Sequence, residues 1–468
     1  MFQSKRIVLP VAAVVLLALP FLLSGCGNPL AAAPAPTATP IPPTATPAPP
    51  TDTPPPTSTP GPTPTPTPRP LDVHVRSVAF PDASAGSLGG TQVLVAARPP
   101  RVVTATQGVV RVVDAVSGRV LGPITVTASG DSLSLALDAA HGRVDAVLDG
   151  TYSMSPTLTT IDVVSGRALR QRPLTALPGA VFGAALADPA SGDLIVSTNH
   201  TSSYPTDIPG QLVRLTVDGV VRRRHELAGD VSNLYLDPAA GVVVAIAPTT
   251  TQTPTITGYS LRTLAPLWTR SLPYMPLVMT PDLVHSRFWL LAEGGRVTVY
   301  DLRTGRIVGT CDPTYTKPAS WASNKDLVVD PRTGLGYASW RGGPAATDVH
   351  DAIDVITPTA GTRALLTDGG GVLAGVAART GDLISRDAQS DLVLRDSRGQ
   401  AFAALASAAQ WLGADNTTYG STDLVGTVVE QDGDTVVIAH AATVPYQDPV
   451  SGSTTAPGVV AVVYRDRP

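Results

Sequence analysis

Short runs with β-branched residues at alternate positions, each broken by an Asp and a Ser/Thr-Gly pair, recur along the chain. The clearest is VRVVDAVSGRV at Val110–Val120, which returns as TIDVVSGRAL at Thr160–Leu169 and as VYDLRTGRIV at Val299–Val308. A two-residue hydrophobic period is typical of β-strands, and Asp followed by Ser/Thr-Gly is typical of a tight turn. Each copy therefore predicts a β-hairpin.

A second phrase precedes each hairpin and carries its own turn. It reads LDAAHGRVDAVL at Leu137–Leu148, ADPASGDLIVS at Ala187–Ser197, LDPAAGVVVAI at Leu236–Ile246 and VDPRTGLGYAS at Val329–Ser339. Together the two phrases predict four strands per unit. The units repeat with a period of roughly 40 to 50 residues, which is typical of a β-propeller. The fold class predicted is therefore all-β, a propeller of four-stranded blades.

The units number eight, and the last one lacks a strand. Seven blades is the alternative, because the unit around Gly381–Arg398 is weak. An unassigned alternating segment, LDVHVRSVAF at Leu71–Phe80, precedes the first unit. Placing this N-terminal strand in the C-terminal blade closes the ring and leaves no exposed propeller edge.

The first 25 residues are predicted to be a signal peptide. Lys5 and Arg6 precede the apolar run Ile7–Leu23, and the tetrapeptide Leu-Ser-Gly-Cys ends at Cys26. This tetrapeptide resembles the lipobox of bacterial lipoproteins. The resemblance implies that Cys26 carries acyl chains such as palmitate and becomes the first mature residue. An ordinary signal peptide and an uncleaved membrane anchor are the alternatives, and both also export the chain.

Residues 26–70 are predicted to be a lipid-anchored linker, and residues 71–468 the propeller domain. Between Ala31 and Pro70 the sequence is rich in Pro and Thr and almost without large apolar side chains. Such a segment cannot bury a core and favours an extended polyproline II spacer of about 3.1 Å per residue. We expect it to hold the propeller away from the membrane.

Charge and motifs exclude several functional classes. The chain has 33 basic and 37 acidic residues and a net charge of −4, with no basic stripe for nucleic acid. Arg222–Arg224 is interpreted as a solvated strand edge. Phosphate-loop, nucleophile-elbow, HExxH and CxxCH motifs are absent from the sequence, so no cofactor is predicted. With Cys26 lipidated, Cys311 has no partner for an intramolecular disulfide.

The repeat resembles YVTN-type propellers, a broad family with surface-layer, quinoprotein-like and WD40-like relatives. The matching features are the hairpin core and the turn phrase, seen as VYDLRTGRIVG from Val299 and VDPRTGLGYAS from Val329. These residues are structural, since turns need a side chain that caps its own backbone and a residue that tolerates positive φ. The family contains enzymes, binding modules and structural ectodomains, so the resemblance leaves function open.

Long loops rich in aromatic residues are expected at one end of the propeller. The connections between second and third strands, and the crossovers to the next blade, emerge on the same side. They contain aromatic residues that we interpret as a candidate binding rim, namely Tyr152, Tyr204, Tyr315, Trp321 and Tyr446. The alternative is that these residues merely stiffen long loops.

The segment DVHDAID suggests a divalent-metal site on one loop. Its candidate ligands are Asp348, His350 and Asp351, whereas Asp354 is assigned to the structural repeat. Solvated loop polar groups are the competing interpretation. A joint site of His200, His350 and His440 across the channel mouth is a further hypothesis.

Two functional hypotheses follow. The first is a lipid-anchored, extracytoplasmic, non-catalytic binding module for a protein, glycan or small solute, held at the outer face of a bacterial membrane, at the cell surface or in the periplasm. The alternative is an extracytoplasmic enzyme of lyase or hydrolase type with its site at the channel mouth. An enzyme would gather His and carboxylates around one pocket, whereas a binding module would present a broad aromatic face.

Overall fold

The computed structural model describes most of the chain from residue 71 to residue 465. The described ranges are 71–83, 92–106, 108–126, 133–149, 155–203, 206–231, 233–247, 253–273, 276–292, 295–312, 323–342, 350–359, 361–365, 373–387, 389, 391–411, 428–447 and 455–465. All of these ranges belong to one compact unit, Thr65–Pro468. Within them, no helix has the length and apolar character needed to cross a membrane.

Almost all regular structure is β. In the first half of the propeller the strands are β1 (Val73–Ala79), β2 (Gln92–Ala97), β3 (Pro100–Thr106), β4 (Val109–Asp114), β5 (Val120–Thr125), β6 (Leu133–Asp138), β7 (Arg143–Leu148), β8 (Thr157–Asp162), β9 (Ala168–Pro173), β10 (Val181–Ala187), β11 (Leu194–Asn199), β12 (Thr201–Ser203), β13 (Thr206–Ile208), β14 (Gln211–Leu215), β15 (Val221–Glu226), β16 (Asn233–Asp237), β17 (Val242–Ala247), β18 (Thr255–Ser260) and β19 (Pro266–Ser271).

The second half continues the same pattern and adds one short helix. Its elements are β20 (Pro276–Asp282), β21 (Arg287–Ala292), β22 (Val297–Asp301), β23 (Ile307–Cys311), β24 (Ser323–Asp330), β25 (Leu335–Gly342), β26 (His350–Thr357), β27 (Gly361–Leu365), β28 (Leu373–Val376), β29 (Leu383–Arg386), β30 (Leu392–Arg395), β31 (Ala401–Ala406), helix α1 (Ala408–Trp411), β32 (Val428–Asp432), β33 (Thr435–Pro445) and β34 (Thr455–Arg465).

These strands form eight four-stranded antiparallel sheets, the blades of a β-propeller. Blades 1 to 7 begin with β2, β6, β10, β16, β20, β24 and β28, and each takes its four strands in chain order; in blade 3 the hairpin β12–β13 is an additional two-stranded sheet. Blade 8 has the order β32-β33-β34-β1. The prediction of eight blades is confirmed, and so is the prediction that the N-terminal strand completes the last blade.

The ring is closed by β1. This strand pairs with β34 over its whole length, from Val73 opposite Tyr464 to Ala79 opposite Gly458. Around the axis, the first strands contact one another from β2 to β16 and from β20 through β32 back to β2. Between β16 and β20, the first strands of blades 4 and 5, the Tyr235 hydroxyl donates a hydrogen bond to the Met279 carbonyl oxygen at 3.5 Å. The blades therefore surround a common axis.

The hydrophobic core lies between blades rather than in one central mass. Val103 and Val144 share a cluster that joins blades 1 and 2. Ile195 and Val243 do the same for blades 3 and 4. Both faces of the inner strands of a blade are thus buried, as in β7 and β17, whereas the outermost strands β9 and β15 are mostly exposed.

The turn phrases close one end of the propeller. The Asp162 carboxylate accepts hydrogen bonds from the Ser165 backbone N–H and hydroxyl, both at 2.6 Å. These bonds lower the pKa of Asp162. Gly166 follows with φ of 67°, and a Cβ there would lie 2.7 Å from the Leu121 Cβ of blade 1. The Ser-Gly pair is therefore needed both for the turn and for blade-to-blade packing.

Polar groups at this turn end also join neighbouring blades. In each case a side-chain N–H donates to a turn carbonyl of the next blade: Arg76 to Val116 at 2.8 Å, Arg143 to Gly192 at 2.5 Å, Arg214 to Leu261 at 3.0 Å, Trp268 to Leu302 at 3.0 Å, and Arg332 to Arg379 at 3.2 Å. The Arg76 contact links β1 of blade 8 to blade 1, so it also bridges the closure.

Candidate functional site

The long connections emerge at the end opposite the turns, which we call the loop end. Because each blade is antiparallel, the connection between its second and third strands and the crossover to the next blade both lie there. Long examples are the segments from Trp411 to Val428, from Ala79 to Gln92 and from Cys311 to Ser323, and in blade 3 the hairpin β12–β13 extends the connection. The loop end therefore provides most of the irregular surface on which binding residues are usually found.

Only one member of the predicted aromatic rim lies in the described part of the chain. Tyr446 follows directly after β33 at the loop end, and its side chain is half-buried. Tyr152, Tyr204, Tyr315 and Trp321 lie outside the described residues. The rim as a whole stays a prediction.

The predicted metal loop is only partly a loop. His350 and Asp351 belong to β26, where they pair with Gly342 and Arg341, whereas Asp348 lies outside the described residues. Across the described ranges, no group of three His, Cys, Asp or Glu residues is arranged to hold a metal ion. The metal site on Asp348, His350 and Asp351 stays a prediction, with two of its three residues on a strand.

The assignment of Asp354 to the structural turn is wrong. By register Asp330 pairs with Leu335 and Gly336 pairs with Ile356, so Thr357 occupies the turn position in blade 6. Asp354 lies three residues earlier, fully buried within β26. Asp282 ends the first strand of blade 5 and caps the turn that follows, with a 3.0 Å contact to the His285 ring. The sequence did not reveal this turn, because PDLVHSR lacks the Gly of the turn phrase.

His440 does not belong to a joint histidine site at the channel mouth. His440 lies on β33, and its side chain, which is 7% exposed, packs against helix α1. The ring stacks on Trp411 at 4.3 Å between centroids, and its Nε2 lies 2.8 Å from the Trp411 carbonyl oxygen. Since a carbonyl only accepts, Nε2 carries the proton. His200, in contrast, is exposed at the end of β11.

Cys311 is also a packed residue. It is buried at the end of β23, and its thiol lies 3.6 Å from the Thr357 carbonyl oxygen of the next blade. Cys311 therefore contributes to the packing between blades 5 and 6.

A cavity of about 300 Å³ opens at the loop end between blades 3 and 4. On the blade 3 side it is lined by His225 and Glu226 of β15 and by the crossover that follows, including Leu227 and Val231. Its size lies at the lower end of the range for small-molecule sites.

The blade 4 side of the cavity is a patch of small and hydroxyl side chains. Ala245, Thr257 and Thr269 form one row across β17, β18 and β19, and the Thr257 and Thr269 hydroxyls are 3.2 Å apart. Tyr259 lies one row further into the blade and contacts His225, with 5.4 Å between ring centroids. Burial raises the pKa of the Tyr259 hydroxyl, so it stays protonated at neutral pH.

Comparison with blade 5 shows which side chain occupies the corresponding position there. There the corresponding row is Leu290, Thr298 and Thr310, with the same register. Leu290 is 3% exposed and packs between blades 4 and 5. Blade 4 has Ala245 at that position, so the volume of a leucine side chain is left open. Sequence reasoning missed the site because both residues fit a strand equally well.

One carboxyl of the innermost strands has a shifted pKa. Glu430 lies on β32, and desolvation by the surrounding protein, with the charge of Asp432 adding, raises the pKa of Glu430. A carboxyl of this kind is what the alternative enzyme hypothesis would require.

Comparisons with known proteins add two distant likenesses. No family model and no curated protein matches the chain. Among solved structures, BamB from Moraxella catarrhalis is 16% identical over 84% of this chain and 99% of that chain, with a TM-score of 0.45. A europium-containing methanol dehydrogenase is 13% identical over 83% and 93%, with a TM-score of 0.48. The class of this protein, an eight-bladed β-propeller, stands on its own sheets rather than on these likenesses.

The burial of His440 predicts a pH dependence of stability. Burial lowers the pKa of His440 to about 4, from 6.5, and the bond to Trp411 only partly offsets it. Between pH 6.5 and pH 4 the unfolded chain binds this proton and the folded chain does not, so stability falls as the pH falls through this window.

We expect the wild-type protein to lose about 3 kcal/mol more of its unfolding free energy between pH 7 and pH 4 than the His440→Gln variant does. Urea unfolding at both pH values measures this difference. The variant retains an N–H donor for the Trp411 carbonyl but does not titrate, so carboxylates contribute equally to both proteins. Equal pH slopes in the two proteins would contradict the buried, neutral imidazole.

Proposed function

We propose that the protein is a lipid-anchored, extracytoplasmic binding module whose propeller engages its ligand through the loop end. The observation that carries this proposal is the difference between the two ends. At the turn end, side-chain donors and turn carbonyls are engaged in joining blades, as in the contact of Arg143 with Gly192. At the loop end lie the long connections and the cavity between blades 3 and 4.

A binding role fits the chemistry of the loop end. Beside apolar side chains, the cavity lining includes several threonines and the aromatic pair of His225 and Tyr259, which can donate and accept hydrogen bonds. The half-buried Tyr446 provides an amphipathic ring at the start of the connection between β33 and β34. Aromatic residues of this kind are favoured anchors in binding surfaces. The predicted rim of Tyr152, Tyr204, Tyr315 and Trp321 would extend the same surface.

Anchoring would come from the N-terminal segment. Residues 1–25 would direct export, Cys26 would carry the lipid, and residues 26–70 would act as the spacer. An extended Pro-rich chain of about 3.1 Å per residue gives the propeller reach from the outer face of the membrane. The partner would then be a protein, glycan or small solute in the same compartment.

Cys26→Ser should abolish lipid labelling of the protein and, where the signal peptide is still removed, release it from the membrane. A serine cannot form the thioether and leaves an uncleaved signal peptide or a soluble exported product, without the two acyl signals that stable anchoring needs. Labelling with an alkyne analogue of palmitate in the bacterial host, followed by membrane fractionation, measures both properties. The matched control is Cys311→Ser, which changes the buried thiol and should keep the label. Unchanged labelling of the Cys26 variant would contradict the anchor.

Photo-crosslinking tests the binding end. A benzoylphenylalanine at Gln447, which is exposed at the loop end, should give ultraviolet-dependent adducts of higher mass when the full chain is expressed in bacterial cells. The control position is Val164, which is 54% exposed in a turn at the other end and should give none. Adducts at Val164 alone, or at neither position, would contradict a macromolecular partner at the loop end.

A further inference from the structure

We propose that the cavity between blades 3 and 4 binds a small neutral polyhydroxylated ligand, a single hexose unit either free or at the end of a glycan. This inference rests on the proposed function, because it names the ligand class for one part of the loop end. It is carried by the shape of the cavity, the chemistry of its walls and the way in which the fold creates it.

The size of the cavity sets the scale of the ligand. A volume of about 300 Å³ admits one sugar ring with some bound water, and it is too small for a nucleotide or a large redox cofactor. The cavity is bounded by the crossover Leu227–Val231 on one side and by the start of β18 near Thr253 on the other. A ring entering from the loop end would therefore leave one hydroxyl directed to solvent, as the terminal unit of a glycan requires.

The walls match a ligand with many hydroxyls. Thr255, Thr257 and Thr269 all line the cavity, and a threonine hydroxyl both donates and accepts. Thr257 is 9% exposed and its hydroxyl is 3.2 Å from that of Thr269. Such paired hydroxyls are suited to the alternating donors and acceptors of adjacent sugar hydroxyls.

The aromatic pair gives the cavity a surface for the C–H face of a sugar ring. His225 and Tyr259 lie at 60° to each other, 5.4 Å apart. Their rings form a corner rather than a flat stack, and an aromatic face attracts weakly polar C–H groups through its quadrupole. The ligand would thus meet apolar surface at the rings and hydroxyls on the threonine side.

Charge at the cavity argues against an anion. Among its described lining residues neither Lys nor Arg occurs, and the one carboxylate is Glu226, which is exposed at the mouth. A carboxylate accepts hydrogen bonds from sugar hydroxyls and repels phosphate or carboxylate ligands. The lining therefore favours a neutral ligand.

The row that lines the cavity differs at one position from its counterpart in blade 5. Blade 5 has the same threonine pair, Thr298 opposite Thr310, but Leu290 fills the space beside it. In blade 4 the residue at that position is Ala245. An unfilled gap costs packing energy, and a gap lined by hydroxyls and bounded by an aromatic pair has the features of a built site.

The test measures binding of glucose, galactose, mannose and N-acetylglucosamine to the full chain by saturation-transfer NMR. We expect at least one of them to bind. Ala245→Leu, which copies the blade 5 row, should weaken that binding more than about tenfold because it fills the cavity. Thr257→Val should weaken it about fivefold to tenfold through loss of one hydrogen bond. Thr298→Val is the matched control and should leave binding unchanged.

Thermal unfolding of each variant confirms that the blades remain folded. The proposal is overturned if none of the four sugars binds, if a bound sugar binds equally well to Ala245→Leu, or if glucuronate binds more tightly than glucose. Crosslinking at Gln447 separates this inference from the proposed function. Adducts that persist while no hexose binds would leave the binding module standing and remove only the sugar site.

Discussion

The pairing of β1 with β34 is the contact on which the rest of the ring depends. Every blade buries both of its faces against neighbours, so a ring with an open joint would expose two apolar blade faces and an unpaired strand edge. Seven register pairs from Val73–Tyr464 to Ala79–Gly458 close that joint. At Gly458 the chain approaches so closely that a Cβ would lie 2.2 Å from the Val78 carbonyl oxygen. The first strand of the propeller is therefore an integral part of its last blade.

Closure of the ring also makes the two ends of the propeller different from each other. With the blades fixed side by side, the short turns at one end meet each other, and their polar groups are used between blades, as Arg76 does with Val116 across the joint. The opposite end receives the long connections, where sequence can vary without opening the ring. The cavity between blades 3 and 4 lies at this end. Ala245 borders it at the position where blade 5 has Leu290, and threonines and the pair of His225 and Tyr259 line the rest of its wall.

Much of the fold could be predicted from sequence because its signals are local. The turn at Asp162 can be recognised from Ser165 and Gly166, which follow it closely in sequence. The strand near Leu71–Phe80 belongs to no complete unit, and the last unit lacks one strand. The candidate site could not be predicted in the same way. His440 looked like a loop-end polar residue, and its burial depends on Trp411, which arrives from the preceding blade. Asp354 resembled a turn residue because the sequence pattern does not fix the register by itself.

The measurement that tests this account most directly is amide hydrogen exchange of the full chain, followed by mass spectrometry of peptides that cover β1 and β34. If the ring is closed as described, the amides of Val73–Ala79 should exchange as slowly as those of β34, and Gly458→Ala should speed exchange in both strands together. Gly229→Ala, where an added Cβ meets no atom within 4 Å, should change neither. Fast exchange of β1 in the wild-type protein, independent of β34, would contradict the closed ring and the division of the molecule into a turn end and a loop end.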